Sequence, residues 1–279
     1  MKAYALGLYE KAMPDCPWEE KLPAAKAAGY DYVEMSIDAS EEKISRVYMD
    51  KAARLDLVRL MYETGMPIRS MCVSALTKYS LGNPDPAYQA RGVEIAEKSI
   101  ELADDLGIRI VMLPGYDVYY EPATEQTRQD FTKNIRRIAR FAEKIGVQVA
   151  FETMENEFMN TVEKAMAYVT LVNSNYLKVY PDIGNLTNAA VLHGTDVLQD
   201  LRLGDGQLVA MHLKETLPGR YREVPYGTGH VAFTPAINTA WALGVRRFVT
   251  EFWYKGSENW REELLAARTR FSGLLDSMA

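Results

Sequence analysis

Three features of the 279-residue sequence predict a single (β/α)8 barrel: eight short apolar runs, helical stretches between them, and a glycine repeated at the junctions. The glycines are Gly29 in AGYDYVEMSI, Gly65 in TGMPIRSMCVSA, Gly107 in LGIRIVMLPG, Gly146 in IGVQVAFETM and Gly244 in LGVRRFVTEFW. A helix commonly ends on a left-handed residue, a conformation in which glycine escapes the Cβ clash. In chain order, strands are expected near Tyr4–Tyr9, Tyr32–Ile37, Ile68–Ser74, Ile108–Leu113, Val147–Thr153, Leu177–Pro181, Leu208–Leu213 and Phe248–Phe252. Several are apolar on nearly every residue, the pattern of parallel strands buried on both faces. Between them, Val93, Ala96, Ile100, Ala103 and Leu106 recur at helical steps, as do Phe131, Ile135, Ile138, Phe141 and Ile145. No Ser/Gly linker or low-complexity tract interrupts the pattern, so residues 1–279 read as one domain. A doubly wound open sheet fits less well. The strand count is eight, and GLYEKAMP after the first strand lacks the dinucleotide-binding glycine pattern.

A hydrophobic share of 48% with 25% charged residues is that of a soluble globular protein. The net charge of −6 argues against nucleic acid as a partner. No apolar run approaches the roughly 18 residues that span a bilayer, and Met1–Glu10 lacks the basic and apolar regions of a signal peptide. Cys16 and Cys72, the only two cysteines, read as reduced thiols. A cytoplasmic enzyme is expected.

In such a barrel the polar residues at the C-terminal ends of strands surround the active site. Glu152 closes VQVAFET, Asp182 follows LKVYP, His212 lies in LVAMHLKE and Glu251 in RFVTEFW. Each alone has an ordinary explanation, as a helix cap, an ion-pair partner or a satisfied core histidine. Four on consecutive strands need a shared reason, because buried charge without a partner is costly. Three carboxylates and one imidazole suit a single divalent ion such as Mn²⁺, Zn²⁺, Co²⁺ or Mg²⁺. Of the other histidines, His193 is expected at the surface, and His230 in YGTGHVAF is a weaker candidate for the barrel mouth. Three histidines in all are too few for a trinuclear zinc nuclease.

Taken together, VYPDIGNL, HLKE, YREVPYGTGHVAF, FMNT and the opening LGLYEKAMP resemble the L-ribulose-5-phosphate (L-xylulose-5-phosphate) 3-epimerases of the xylose-isomerase-like barrel superfamily. MCVSA and GYDVYYE in the first half agree with that resemblance. It implies a metal-dependent 3-epimerisation of a ketopentose 5-phosphate, with Glu152, Asp182, His212 and Glu251 as ligands. It also implies that Glu152 and Glu251 act as the acid/base pair and that Arg222 contacts the sugar hydroxyls. Related free-ketohexose epimerases carry a histidine three residues beyond the aspartate; Asn185 stands there in this chain, which favours the phosphopentose branch.

These residue types suit the reaction. Epimerising C3 of a 2-ketose removes a weakly acidic proton beside a carbonyl, and a chelated divalent ion stabilises the cis-enediolate that results. Inversion requires two carboxylates, one removing a proton and the other supplying one to the opposite face. For the phosphate, Lys214 and Lys11 have the right charge near the mouth, and Tyr116, Tyr119 and Tyr120 are candidate lining residues. The competing readings are an aldose–ketose isomerase on the same scaffold and a non-catalytic sugar-binding barrel. A DNA-repair endonuclease is a more distant alternative. A homodimer is the base-rate expectation for assembly.

Overall fold

A computed structural model describes residues 3–279. Its strands are β1 (Ala5–Tyr9), β2 (Tyr32–Ser36), β3 (Ile68–Cys72), β4 (Ile110–Pro114), β5 (Gln148–Glu152), β6 (Leu177–Tyr180), β7 (Met211–Leu213) and β8 (Arg247–Thr250). All pair in parallel in the order β6-β5-β4-β3-β2-β1-β8-β7, with helices between them. The β6–β7 seam is joined by two parallel bridges, Val179 to Leu208 and Asp182 to His212, instead of a continuous ladder. Backbone bonds Val209 N to Val179 O (3.1 Å) and His212 N to Pro181 O (2.9 Å) draw this seam together. The expected strand Leu208–Leu213 is therefore shorter than its apolar run, because its first half serves the seam. All five junction glycines have positive φ, from 62° at Gly65 to 91° at Gly146.

The strands divide their side chains by parity. Leu6 and Leu8, Val33 and Met35, Val149 and Phe151, with their counterparts, face the helices in one large core. Both helical stripes pack there, with Val93, Ile100, Phe131, Ile135 and Ile138 buried. The opposite parity (Tyr9, Tyr32, Cys72, Met112, Ala150, Tyr180, Ala210 and Val249) forms a second cluster inside the barrel. Gly7 makes room for it, since a Cβ there would lie 2.5 Å from the Tyr32 ring. Among the described residues no helix is long and apolar enough to cross a membrane.

A buried charge cluster fixes the loops at the top of β1 and β2. The Glu10 carboxylate accepts from Lys21 Nζ (2.7 Å), from both Arg46 Nη atoms (2.6 and 2.8 Å) and from Ser36 N (2.8 Å). Burial pushes its pKa up, but Arg46 and Lys21 outweigh burial and hold it below the usual carboxylate range. Glu10 and Lys21 are each 2% exposed, so removing the acid leaves a buried ammonium with only the longer Asp15 contact at 3.8 Å. Glu10→Ala is expected to cost about 3–5 kcal/mol, read as a lowered midpoint in denaturant unfolding. An unchanged midpoint would count against this cluster as an anchor.

Candidate metal centre and active site

The four strand-end residues continue the interior parity: Glu152 follows Ala150 by two residues, Asp182 follows Tyr180, His212 follows Ala210 and Glu251 follows Val249. Each therefore points into the barrel at its C-terminal mouth. One ligand atom from each lies within 4.8 Å of the others, and all four residues are buried. His212 Nδ1 is 2.8 Å from Glu251 Oε2, 3.2 Å from Glu152 Oε1 and 3.8 Å from Asp182 Oδ2.

Asp182 is held from two sides. Its backbone NH donates to Thr153 Oγ1 (3.0 Å), and its Oδ1 caps the helix Ile183–His193 by accepting from Asn185 N (2.8 Å). The helix-cap role and the ligand role thus fall on different oxygens of one carboxylate. Asn185 itself is buried, donates through Nδ2 to Thr153 O (2.8 Å), and is not among the residues that line the cavity.

Sequence reasoning missed the partner of His212. Glu34, in the middle of β2 and wholly buried, lies with Oε1 2.6 Å from His212 Nε2. Its Oε2 accepts from Ser70 Oγ (2.6 Å) and Tyr180 OH (3.0 Å). A carboxylate on Nε2 directs Nδ1 at the other ligands, the usual support for a metal-bound imidazole. The one available signal was a lone Glu in YVEMS, a run otherwise free of charge.

The donor set fits a divalent cation. Asp182 Oδ2 and Glu251 Oε2 are buried and accept no well-aligned hydrogen bond, although Lys214 Nζ stands 2.9 Å from the former and His212 Nδ1 2.8 Å from the latter. Buried carboxylate oxygens without such bonds are costly, and oxygen-rich coordination with one imidazole answers that cost. Burial raises Asp182 to about 7, with Glu251 adding to the rise and Lys214 opposing it. Burial works against the His212 imidazolium, but Glu34 and Glu251 hold its pKa well above the ordinary value. A bound cation must displace such protons, so Mn²⁺ or Zn²⁺ should bind with proton release and more tightly as pH rises through about 7, roughly tenfold per unit per proton. Calorimetry in buffers of different ionisation enthalpy checks this; affinity that stays flat across that range would contradict it.

Above the four candidate ligands opens a cavity of about 400 Å³, within the usual range of roughly 300–1,000 Å³ for small-molecule sites. Tyr9, Cys72, Pro114, Met154 and Trp253 give it apolar walls, and Lys11, Asp38, Ser40, Ser74 and Thr77 line it with polar groups. Lys11 is half-buried there, 3.3 Å from Asp38. Arg222 also lines the cavity, paired with Glu155 at 2.6 Å. Glu155 in turn accepts from Tyr116 and Tyr119, a rim contact not expected from sequence. Tyr119 and Tyr120 line the cavity, whereas Tyr116 is buried. Lys214, expected near the phosphate, lines the cavity beside the four candidate ligands and is 3% exposed. His193 is exposed at a helix end, and His230 Nε2 sits 3.0 Å from Thr216 Oγ1 without lining the cavity.

Residues 22–270 match the family model described as "Xylose isomerase-like TIM barrel". The chain is 39% identical over 270 residues to the L-ribulose-5-phosphate 3-epimerase UlaE of Shigella boydii serotype 18 (strain CDC 3083-94 / BS512), covering 96% of this chain and 93% of that protein. The same figures hold for L-ribulose-5-phosphate 3-epimerase UlaE of Escherichia coli O157:H7. Among solved structures, an L-ribulose 3-epimerase superposes with a TM-score of 0.79 at 19% identity, over 98% of this chain and 95% of that one. A D-psicose 3-epimerase solved in the presence of D-fructose superposes with a TM-score of 0.80 at 16% identity, over 97% and 99%. At those identities the structural matches carry the fold alone.

Proposed function

The chain belongs to the xylose isomerase-like TIM barrel family, and within it to the L-ribulose-5-phosphate 3-epimerases; on that premise we propose that it is a metal-dependent isomerase that epimerises C3 of a ketopentose 5-phosphate in the cytoplasm. The observation that carries the reading is the convergence of Glu152, Asp182, His212 and Glu251 within 4.8 Å at the floor of a sugar-sized cavity.

Those four side chains would hold one divalent ion, which as a Lewis acid would make C3–H more acidic and take up charge on the sugar oxygens. The chain's own groups do the rest. Glu152 on β5 and the residue after β8, Glu251, reach the cavity from strands separated around the seam by two others, β6 and β7. One carboxylate accepts the C3 proton, the electron pair moves into the C2–C3 bond, and charge passes to O2. The other carboxylic acid returns a proton to C3 from the opposite face. Arg222, fixed by Glu155, would meet the sugar hydroxyls. Tyr9 and Trp253 shield the reacting carbon from water. Lys11, which lines the same cavity as Ser40, Ser74 and Thr77 and pairs with Asp38 and not with the candidate ligands, is the cation left to receive the phosphate.

The test is incubation of Mn²⁺-loaded protein with L-ribulose 5-phosphate in D₂O. Deuterium at C3 with appearance of the xylulose epimer is expected. Exchange at C1 with an aldose product would transfer the chain to the aldose–ketose isomerases. Binding without any exchange would make it a sugar-binding barrel.

A further inference from the structure

Lys214 is the one lysine or arginine set directly against the candidate ligand carboxylates among the described residues. Its Nζ lies 2.9 Å from Asp182 Oδ2 and 3.8 Å from Glu251 Oε2, the side chain is 4% exposed, and it lines the same cavity as Glu152 and Glu251. It continues the interior parity of Ala210 and His212, so its position follows from the strand. A buried ammonium beside the ligands of a divalent cation repels that cation, and the repulsion is strong at such distances. A site built only to hold metal would do better with a neutral residue there.

We propose that Lys214 is a further catalytic residue: a fixed ammonium that hydrogen-bonds the sugar oxygen on which charge develops, retained although it weakens metal binding. In the forward step a carboxylate takes the C3 proton and the electron pair of that bond becomes the C2–C3 double bond. The carbonyl π pair settles on O2, where the ammonium donates a hydrogen bond and keeps all three protons. On reprotonation of C3 the pair returns and the hydrogen bond weakens. A donor aimed at developing charge in a water-poor site acts on the barrier far more than on substrate binding. The chemistry rests on the epimerase reading, whereas the effect on metal affinity does not.

The experiment compares wild type with Lys214→Met and Lys214→Gln; the amide of the second keeps a polar contact for Asp182 should the first fail to fold. Mn²⁺ affinity is measured by chelator competition, and steady-state turnover on L-ribulose 5-phosphate at saturating Mn²⁺. Removing a neighbouring positive charge should tighten Mn²⁺ binding at least about tenfold. Turnover should fall by about 10²–10³ in kcat while KM changes by less than about threefold. A packing or ligand-orienting role predicts weaker metal binding, so unchanged or weakened Mn²⁺ affinity overturns the proposal. Tighter binding with undiminished kcat overturns it equally. If wild type binds Mn²⁺ but exchanges no proton with any ketose phosphate, the epimerase reading fails, and the affinity comparison still reports on the charge.

Discussion

Glu251→Gln and Glu152→Gln are each expected to abolish deuterium exchange at C3, lowering it by at least about 10³-fold. The estimate combines the 10²–10⁴-fold contribution of a positioned acid or base with the weaker coordination of an amide. Glutamine keeps the volume and one oxygen, so both proteins should fold. The two substitutions also separate. Glu251 touches His212 and Lys214, which outweigh burial and hold its pKa below the ordinary value, so it is ionised near neutral pH and ready to accept a proton. Glu152 touches His212 at 3.2 Å and, among the described residues, pairs with no lysine. With a two-group inversion, each variant starting from one epimer loses a different half-step. Wash-in of solvent deuterium and loss of substrate protium should therefore fail to different degrees in the two proteins. Near-wild-type exchange in either variant, at full metal occupancy, would remove that residue from the chemistry.

The convergence of the four candidate ligands was legible in the sequence because the barrel ties position along a strand to position in space. A polar residue two steps beyond an interior apolar one, as Glu152 is beyond Ala150, can only point into the mouth. The fold was legible for a related reason: each junction glycine stands before a continuous apolar run, and all five take the left-handed backbone. What escaped was whatever depends on which side chain meets which across the barrel. Glu34 and His212 are 178 residues apart, and β2 and β7 are not neighbours in the sheet, so no spacing relates them. Lys214 read as a mouth lysine for the phosphate because its charge has no partner nearby in sequence. Its partner Asp182 arrives through the closure of β6 on β7. The Glu155 contact with Arg222 likewise joins the loop after β5 to the loop after β7, and loop paths carry no periodicity.

Glu34→Gln is expected to weaken binding of Mn²⁺ or Zn²⁺ by about 10–100-fold, the usual effect of losing a carboxylate behind a metal-bound histidine. The substitution keeps the shape of a residue that is 0% exposed. It also keeps an oxygen for His212 Nε2, and the Ser70 and Tyr180 hydroxyls can turn to meet the new amide. What it removes is the negative charge that makes His212 a more basic ligand and fixes Nε2–H as the protonated nitrogen. That charge is also the largest influence raising the His212 pKa, against burial, in the metal-free protein. The variant should therefore release fewer protons per ion bound, as well as binding it less tightly. A packing defect would lower the unfolding midpoint of the metal-free protein without altering the proton count, which separates the two causes. Glu34→Ala leaves His212, Ser70 and Tyr180 facing a void and should add a stability loss of several kcal/mol to the affinity loss. Wild-type metal affinity and proton release in Glu34→Gln would show that the geometry behind His212, and not its charge, is what the site requires.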